Sequence, residues 1–472
     1  MILEIVEGAL LLGSFVYHRW LEDRPPPVRP ADIELPRVDE GTPIPLIYGR
    51  CRVRAPILAW SGNYNVPNGT TIAVYSLDAL FVIGIPFYLG RAALMLNGIF
   101  YGDVKFFTLV SSDPGMQFFS ADFTGSSLEP SGSGEYFDGL RDQNIGFQTT
   151  LTSQRMIKAG VNPLFLPGYP NLACCSFVTQ DVSSDIASGL TIGTSPDIRS
   201  LSFEVRSLST GSNADLGNSL TDDADPAAVI LDLLTSPFGK LGLPASRIDT
   251  TSFQAASSTL FSEGHGYSRS IEQAEEASSI IDDILRQTDG LIYEEPTTGK
   301  IVYRLVRNDY DVSTLDDVNP DNATPADGAW YSVQGWSELP NQVRVTFTDR
   351  TANYANGAVV AQNGANSTDQ VRLRSIDITF VGCNDKELAR KLAARELAVV
   401  SRPIVKATVV VNRSFYLKRP GDVVTLTWPQ LGISGMVMRI VRVDLGQLHD
   451  GKITLDMIRD VFDVTVGAFP AP

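Results

Sequence analysis

The stretch KITLDMI, residues 452–458, alternates without a break. Ile453, Leu455 and Met457 point one way, and Lys452, Thr454 and Asp456 the other. That period of two belongs to a strand with one dry and one wet face. Working outward, three more strands precede it: KATVVVNRSFYL from 406, DVVTLTW from 422 and MVMRIVRVDL from 436. Farther upstream, Val343, Val345 and Phe347 alternate with Arg344, Thr346 and Thr348, and Ile376, Ile378 and Phe380 alternate with Asp377 and Thr379. Between those two strands, TANYANGAVVAQNGANSTD reads as a long exposed hairpin or loop. One helix interrupts at 385–400, where Asn384 and Glu387 form a capping-box-like start and Leu388 and Leu392 share a face. A sheet with a single helix laid on it suits a barrel or sandwich spanning 311–472.

Residues 225–310 have a different character. Asp225 is an N-cap candidate with Pro226 at the first helical position. Val229, Ile230, Leu233 and Leu234 form an apolar stripe that Gly239 and Gly242 end. The spacing of Ala274, Ala277, Ile281, Ile284 and Leu285 predicts a second helix near 272–288, with Gly290 beyond its end. The strand IVYRLV (301–306) follows the turn Thr298-Gly299-Lys300. This is a small α/β module.

From Gly41 to 224 the signals are again strands and turns. TPIPLIYGRCRVRAPILAW is rich in β-branched and aromatic residues, and LDALFVIGIPFYLG and AALMLNGIFYG follow. Asn97-Gly98 reads as a hairpin turn. Leu201, Phe203 and Val205 alternate with Ser202, Glu204 and Arg206. Gly/Ser/Asn-rich segments at 124–135 and 209–219 read as exposed loops.

Residues 1–40 stand apart. MILEIVEGALLLGSFVYHRW lacks a basic start, and Glu4 and Glu7 interrupt its apolar run, which argues against a signal peptide. It is also short for a membrane span. As a helix it is apolar on most faces, so it needs a protein partner: its own subunit, a neighbouring chain, or the lumen of a tube. The prolines of LEDRPPPVRP hold the next segment extended as a linker.

Composition narrows the function. The formal net charge of −16 does not suit phosphate neutralisation. It serves either general solubility or an acidic wall that DNA slides past. The four cysteines, Cys51, Cys174, Cys175 and Cys383, form no CxxC pair and read as buried thiols, with no metal or cofactor implied. His18, His265 and His449 are far apart in sequence. The acid pairs Asp222/Asp223, Asp282/Asp283, Glu294/Glu295 and Asp316/Asp317 read as solvated charge, since adjacent acids diverge on a helix or strand while glycosidase carboxylates face each other across a cleft. TDDAD (221–225) lacks EF-hand spacing, and GSGEYFDG lacks the Lys-Ser/Thr of a phosphate loop. Trp60, Trp330, Trp336 and Trp428 read as packing residues before sugar platforms. No catalytic, cofactor-binding or metal residue is nominated, and the chain reads as a non-enzyme.

Six segments, in order, resemble the tail proteins of long-tailed phages and gene-transfer agents. They are GTPIPLIYGRCRVRAPILAW (41–60), DPAAVILDLLTSPFGKLGLPASRID (225–249), GLIYEEPTTGKIVYRL (290–305), LPNQVRVTFTDRTANY (339–354), RPGDVVTLTW (419–428) and MRIVRVDLGQLHDGKITLDMIRDVFD (438–463). In the fourth, Phe347 stands where the family usually has Tyr. The resemblance implies a mainly β fold: two tail-tube-like barrels flanking the α/β module, plus the N-terminal helix. The expected domains are therefore 1–40, 41–224, 225–310 and 311–472.

The resemblance also implies a function. Such proteins form a homotrimeric baseplate hub at the tail tip, matching a six-fold tube to three-fold parts around a lumen for DNA. The implied partners are the distal tail protein, the tape-measure protein, and tip, spike or fibre proteins. The implied location is the virion, after assembly in the bacterial cytoplasm. Two other classes remain open: a host-binding, adhesin-like tail-tip protein that takes carbohydrate through long loops such as 351–370, and a wall hydrolase.

Overall fold

A computed structural model of the 472-residue chain describes residues 41–65, 75–85, 94–101, 104–108, 121–123, 172–177, 190–193, 201–208, 220–236, 240–336, 339–364, 372–447, 449 and 451–463. The expected N-terminal helix, the Pro-rich linker and the loops at 124–135 and 209–219 lie outside them. In chain order the elements begin with β1 (Leu46–Val53), β2 (Ile57–Asn65), β3 (Tyr75–Gly84), β4 (Leu94–Tyr101), β5 (Val104–Thr108), β6 (Ala121–Phe123), β7 (Ala173–Phe177), β8 (Leu190–Gly193) and β9 (Leu201–Ser207). Next come α1 (Pro226–Thr235), α2 (Thr250–Glu263), β10 (Arg269–Ile271), α3 (Ala277–Thr288), β11 (Gly290–Glu295) and β12 (Lys300–Leu305). The rest are β13 (Asp317–Val318), β14 (Ala323–Pro325), β15 (Tyr331–Val333), β16 (Gln342–Asp349), β17 (Ala355–Gln362), β18 (Ser375–Thr379), α4 (Lys386–Val400), β19 (Val405–Asn412), β20 (Val423–Trp428), β21 (Ile433–Asp444) and β22 (Lys452–Arg459).

The chain divides into two compact units. The first takes 1–42, 54–83 and 98–203. Within it β2 runs antiparallel to β3 through two irregularities, β8 pairs with the start of β3, and β6 pairs with β7. The second takes 43–53, 84–97 and 204–472.

In the second unit the α/β module is built around α1. Asp232 aside, this helix is apolar on nearly every side and is buried from Pro226 to Leu234. Asp225 caps it by accepting from the Ala227 amide at 2.9 Å. The helices α2 and α3 and the hairpin β11–β12 close over it, with Phe253, Leu260, Ile284 and Tyr303 as core residues. Strand β1 joins this module by pairing antiparallel with β10.

Two sheets follow. In the first, β16 lies between β17 and β18, antiparallel to one and parallel to the other. Its dry face, Val343, Val345, Phe347 and Ile378, packs on Leu388 and Leu392 of α4. The second is seven-stranded, ordered β13-β20-β21-β22-β19-β14 with β15 also on β19. Its edge strands β13 and β14 are joined by residues 319–322 alone. Flat, six strands in a row would hold their edges about 24 Å apart. Five residues span at most about 17 Å. The link is tighter still, because Ala323 and Asn322 donate their amides back to the Asn319 carbonyl at 2.9 and 3.1 Å. The sheet therefore curls into a half-barrel around Val409, Leu426, Met438, Ile453 and Leu455.

The mainly β reading holds, with local corrections. Asn97-Gly98 is not a turn: both residues lie inside β4, which pairs with β5 only from Tyr101 back. The second helix of the module starts at Ala277, not 272, because β10 and an extended stretch come first. The sequence reading missed α2 altogether. The cap of α4 is Asp385, which accepts from the Leu388 amide at 2.8 Å, not Asn384. In the stretch read as a long exposed hairpin or loop, Ala355–Gln362 form strand β17 in unbroken antiparallel register with β16, so there the hairpin alternative holds.

Candidate assembly surface and the ion-pair joint behind it

Inside the second unit, three guanidinia face three carboxylates. Arg50 of β1 reaches Glu204 at 2.8 Å and Asp222 at 3.0 Å. Arg206 of β9 meets Asp222 at 3.5 Å. Arg350, past the end of β16, meets Asp222 at 3.6 Å and also binds Asp223. Ser268 donates to Asp223 at 2.5 Å and accepts from the Arg50 amide at 3.1 Å. Tyr354 donates to Glu204 at 2.9 Å. Glu204 is buried, so it needs this pairing to remain charged at tolerable cost. Arginine suits the joint because its planar fork holds two acids at once.

The electrostatics agree. Burial opposes the charge of Arg50, but Glu204 and Asp222 beside it outweigh that and tighten its hold on its proton. Burial, then Glu204, raises the Tyr354 hydroxyl far above its ordinary value. This joint ties β1, β9, the α/β module and the β16 hairpin together. The chemistry is structural: the carboxylates are neutralised on the spot.

The acid pairs read as solvated charge are instead largely engaged. Asp222 and Asp223 sit in the joint, and Asp225 caps α1 while accepting from Ser257. Asp283 meets Arg269, Glu294 meets Arg247, Glu295 meets Arg419 and Asp316 meets Lys418. Asp317 accepts from Thr425 and Thr427 at 3.0 and 2.8 Å. No pair faces its own twin across a cleft. Trp330 packs on Trp428 with ring centroids 4.8 Å apart. Trp336 is exposed, and the side chain of Trp60 lies outside the described part. Cys51 and Cys383 are buried and unbonded to each other, and burial pushes the Cys383 thiol up to about 12. The side chains of Cys174 and Cys175 are not among those described. Sequence reasoning also missed Arg439 and Asp460, a buried pair at 3.0 Å, because nothing local marks a paired arginine in a core strand.

The surface that this frame presents is the outer face of the β16–β18 sheet. Arg344 stands at its centre, flanked in register by Val360 and Asp377. Around it lie Thr346, Ala358, Gln362 and Thr379, all short or uncharged. Exposed apolar residues also mark the half-barrel: Tyr416 and Leu417 after β19, and Leu431 between β20 and β21.

Residues 276–443 match the family described as "Putative phage tail protein". In fold, the chain is similar to a protein of the native gene transfer agent (GTA) virion particle, with 14% identity, a TM-score of 0.59 and 98% of each chain covered. A tail protein from Neisseria meningitidis MC58 aligns at 14% identity over 56% of this chain and 75% of its own, with a TM-score of 0.34. The 43 kDa tail protein of prophage MuSo2 from Shewanella oneidensis aligns at 14% identity over 61% and 84%, with a TM-score of 0.32. No curated protein sequence matches. The family match runs from α3 to the end of β21 and takes in about a third of the chain.

Proposed function

We propose that this chain is the structural hub subunit of a phage or gene-transfer-agent tail. Three copies form a ring, each supplying two barrel-like domains, 41–224 and 311–472, on either side of the α/β module at 225–310. Six barrels then match a six-fold tube above and three-fold tip, spike or fibre proteins below. The distal tail protein and tape-measure protein are the neighbours on the tube side. DNA passes through the lumen without being held, as a chain with net charge −16 would allow. The role is non-catalytic, the assembled site is the virion tail tip, and assembly takes place in the host cytoplasm.

One observation carries this reading: the likeness in fold to the GTA virion protein runs over 98% of both chains. The half-barrel adds physical sense, since ring neighbours can cover sheet edges that would otherwise invite aggregation. The test is light scattering on the purified chain, where a trimer or closed ring is expected. A monomer at every concentration, with normal tails assembled from an Arg344→Glu variant, would overturn the reading. Binding of the isolated chain to host glycans would favour the adhesin alternative instead.

A further inference from the structure

Lys240 and Asp232 form an ion pair inside the α/β core, with side chains 1% and 0% exposed. Tyr48 of β1 donates its hydroxyl to the same carboxylate oxygen, Oδ2, at 3.0 Å. The Lys240 ammonium lies 5.5 Å from the centre of the Tyr48 ring. Tyr48 belongs to the apolar core of the module together with Val229, Leu233, Ala228 and Ile271. The backbone holds the two side chains together: Leu241 donates its amide to the Leu233 carbonyl at 3.1 Å, and Leu243 to Leu234 at 2.8 Å.

We propose that Lys240 and Asp232 join in an intramolecular isopeptide bond, with Tyr48 as the proton-transferring group. Nζ attacks Cγ of Asp232, an N–C bond forms and a C–O bond breaks. The ammonium gives up two protons, which leave with the carboxylate oxygen as one water. Nothing is oxidised or reduced. Three features favour the step. Burial weakens the hold of Lys240 on its proton, outweighing Asp232, so a neutral nucleophile is accessible. Tyr48 donates to the oxygen that must leave as water. A dry core removes the cost of two buried charges once the neutral amide forms, and withholds the water that would reverse it. The link would fasten the end of α1 to the irregular return at 241–243, where Gly242 has a left-handed backbone.

The test uses the full chain as purified. The expected result is an intact mass lighter than the sequence by one water. Trypsin should fail to cut at Lys240, giving a peptide of residues 207–247 that carries the same deficit and yields no backbone fragments between 232 and 240. Lys240→Met should restore the sequence mass less only the substitution, and Tyr48→Phe should slow the loss of water in newly made protein. A wild-type chain that is folded by circular dichroism, has its full sequence mass and is cleaved at Lys240 overturns the proposal. So does a water deficit that maps to any other residue pair.

Discussion

Tyr354 donates its hydroxyl to Glu204 across 150 residues of chain, in a buried bond of 2.9 Å. It does so from a left-handed backbone, φ +62°, next to Asn353 at φ +54°. Non-glycine residues there cost roughly 1–2 kcal/mol each. The turn is held by the Tyr354 amide on the Asp349 carbonyl at 2.9 Å and by this side-chain bond. A hydrogen bond to a charged group contributes about 1.5–3 kcal/mol. Tyr354→Phe should lower stability by that amount, read as a lower urea midpoint. An unchanged midpoint would mean that the joint does not depend on this hydroxyl.

Gly382 lies between β18 and α4, and a Cβ there would sit 2.0 Å from the Tyr267 ring. Tyr267 is fully buried in the α/β core, and Ser268 beside it donates its amide to the Gly382 carbonyl at 2.9 Å. The module and the β16–β18 sheet thus touch through a glycine. Gly382→Ala should cost at least about 1–3 kcal/mol, the usual penalty of overpacking. Thermal unfolding of the variant beside wild type measures it.

Two buried groups oppose each other between pH 4 and 6. Burial lowers His265 from its ordinary 6.5 to about 4; nearby Glu263 resists the shift, while Arg395, Arg307 and Lys391 add to it. Stability from this depressed group is present above 6.5 and is lost as pH falls toward 4. Burial raises Asp225 from 3.8 to about 6, against the hydrogen bonds from Ser257 and the α1 amides. Its contribution is full below 3.8 and is lost as pH rises through about 6. Asp225→Asn should therefore make the chain more acid-labile than wild type between pH 6 and 4. His265→Asn should make it less so. Urea midpoints across that window, taken as variant minus wild type, separate the two. Equal slopes in all three proteins would contradict both shifts.

Arg439 is buried in β21 and is held by Asp460, by the Gly421 carbonyl at 2.8 Å and by the Arg307 carbonyl at 2.9 Å. Removing the acid leaves a guanidinium without its counter-charge in the half-barrel wall. Asp460→Ala should cost about 3–5 kcal/mol. The double change Arg439→Met with Asp460→Ala should recover part of that loss. A double variant no better than the single one would show that the arginine contributes through packing and its carbonyl bonds rather than through its charge.

The sequence alone determined what has a local period. Alternation at 343–347, 376–380 and 452–458 named the strands and their dry faces, and Val343, Val345, Ile453 and Leu455 are all 0% exposed. Asp225-Pro226 named a helix start because capping is a matter of adjacent residues. Where local propensity was weak, packing decided. The Ser/Thr-rich α2 is helical because Phe253, Ala256 and Leu260 fall on one buried face. The small residues of β17 form a strand because β16 offers eight partners in register. Only the tertiary structure could bring Arg50 to Glu204, Asp222 and the neighbourhood of Arg350, or set β13 and β14 on opposite edges of one curled sheet. Those contacts join residues tens to hundreds of positions apart. No local pattern encodes them, because their energy exists only once the chain has closed the loops between them.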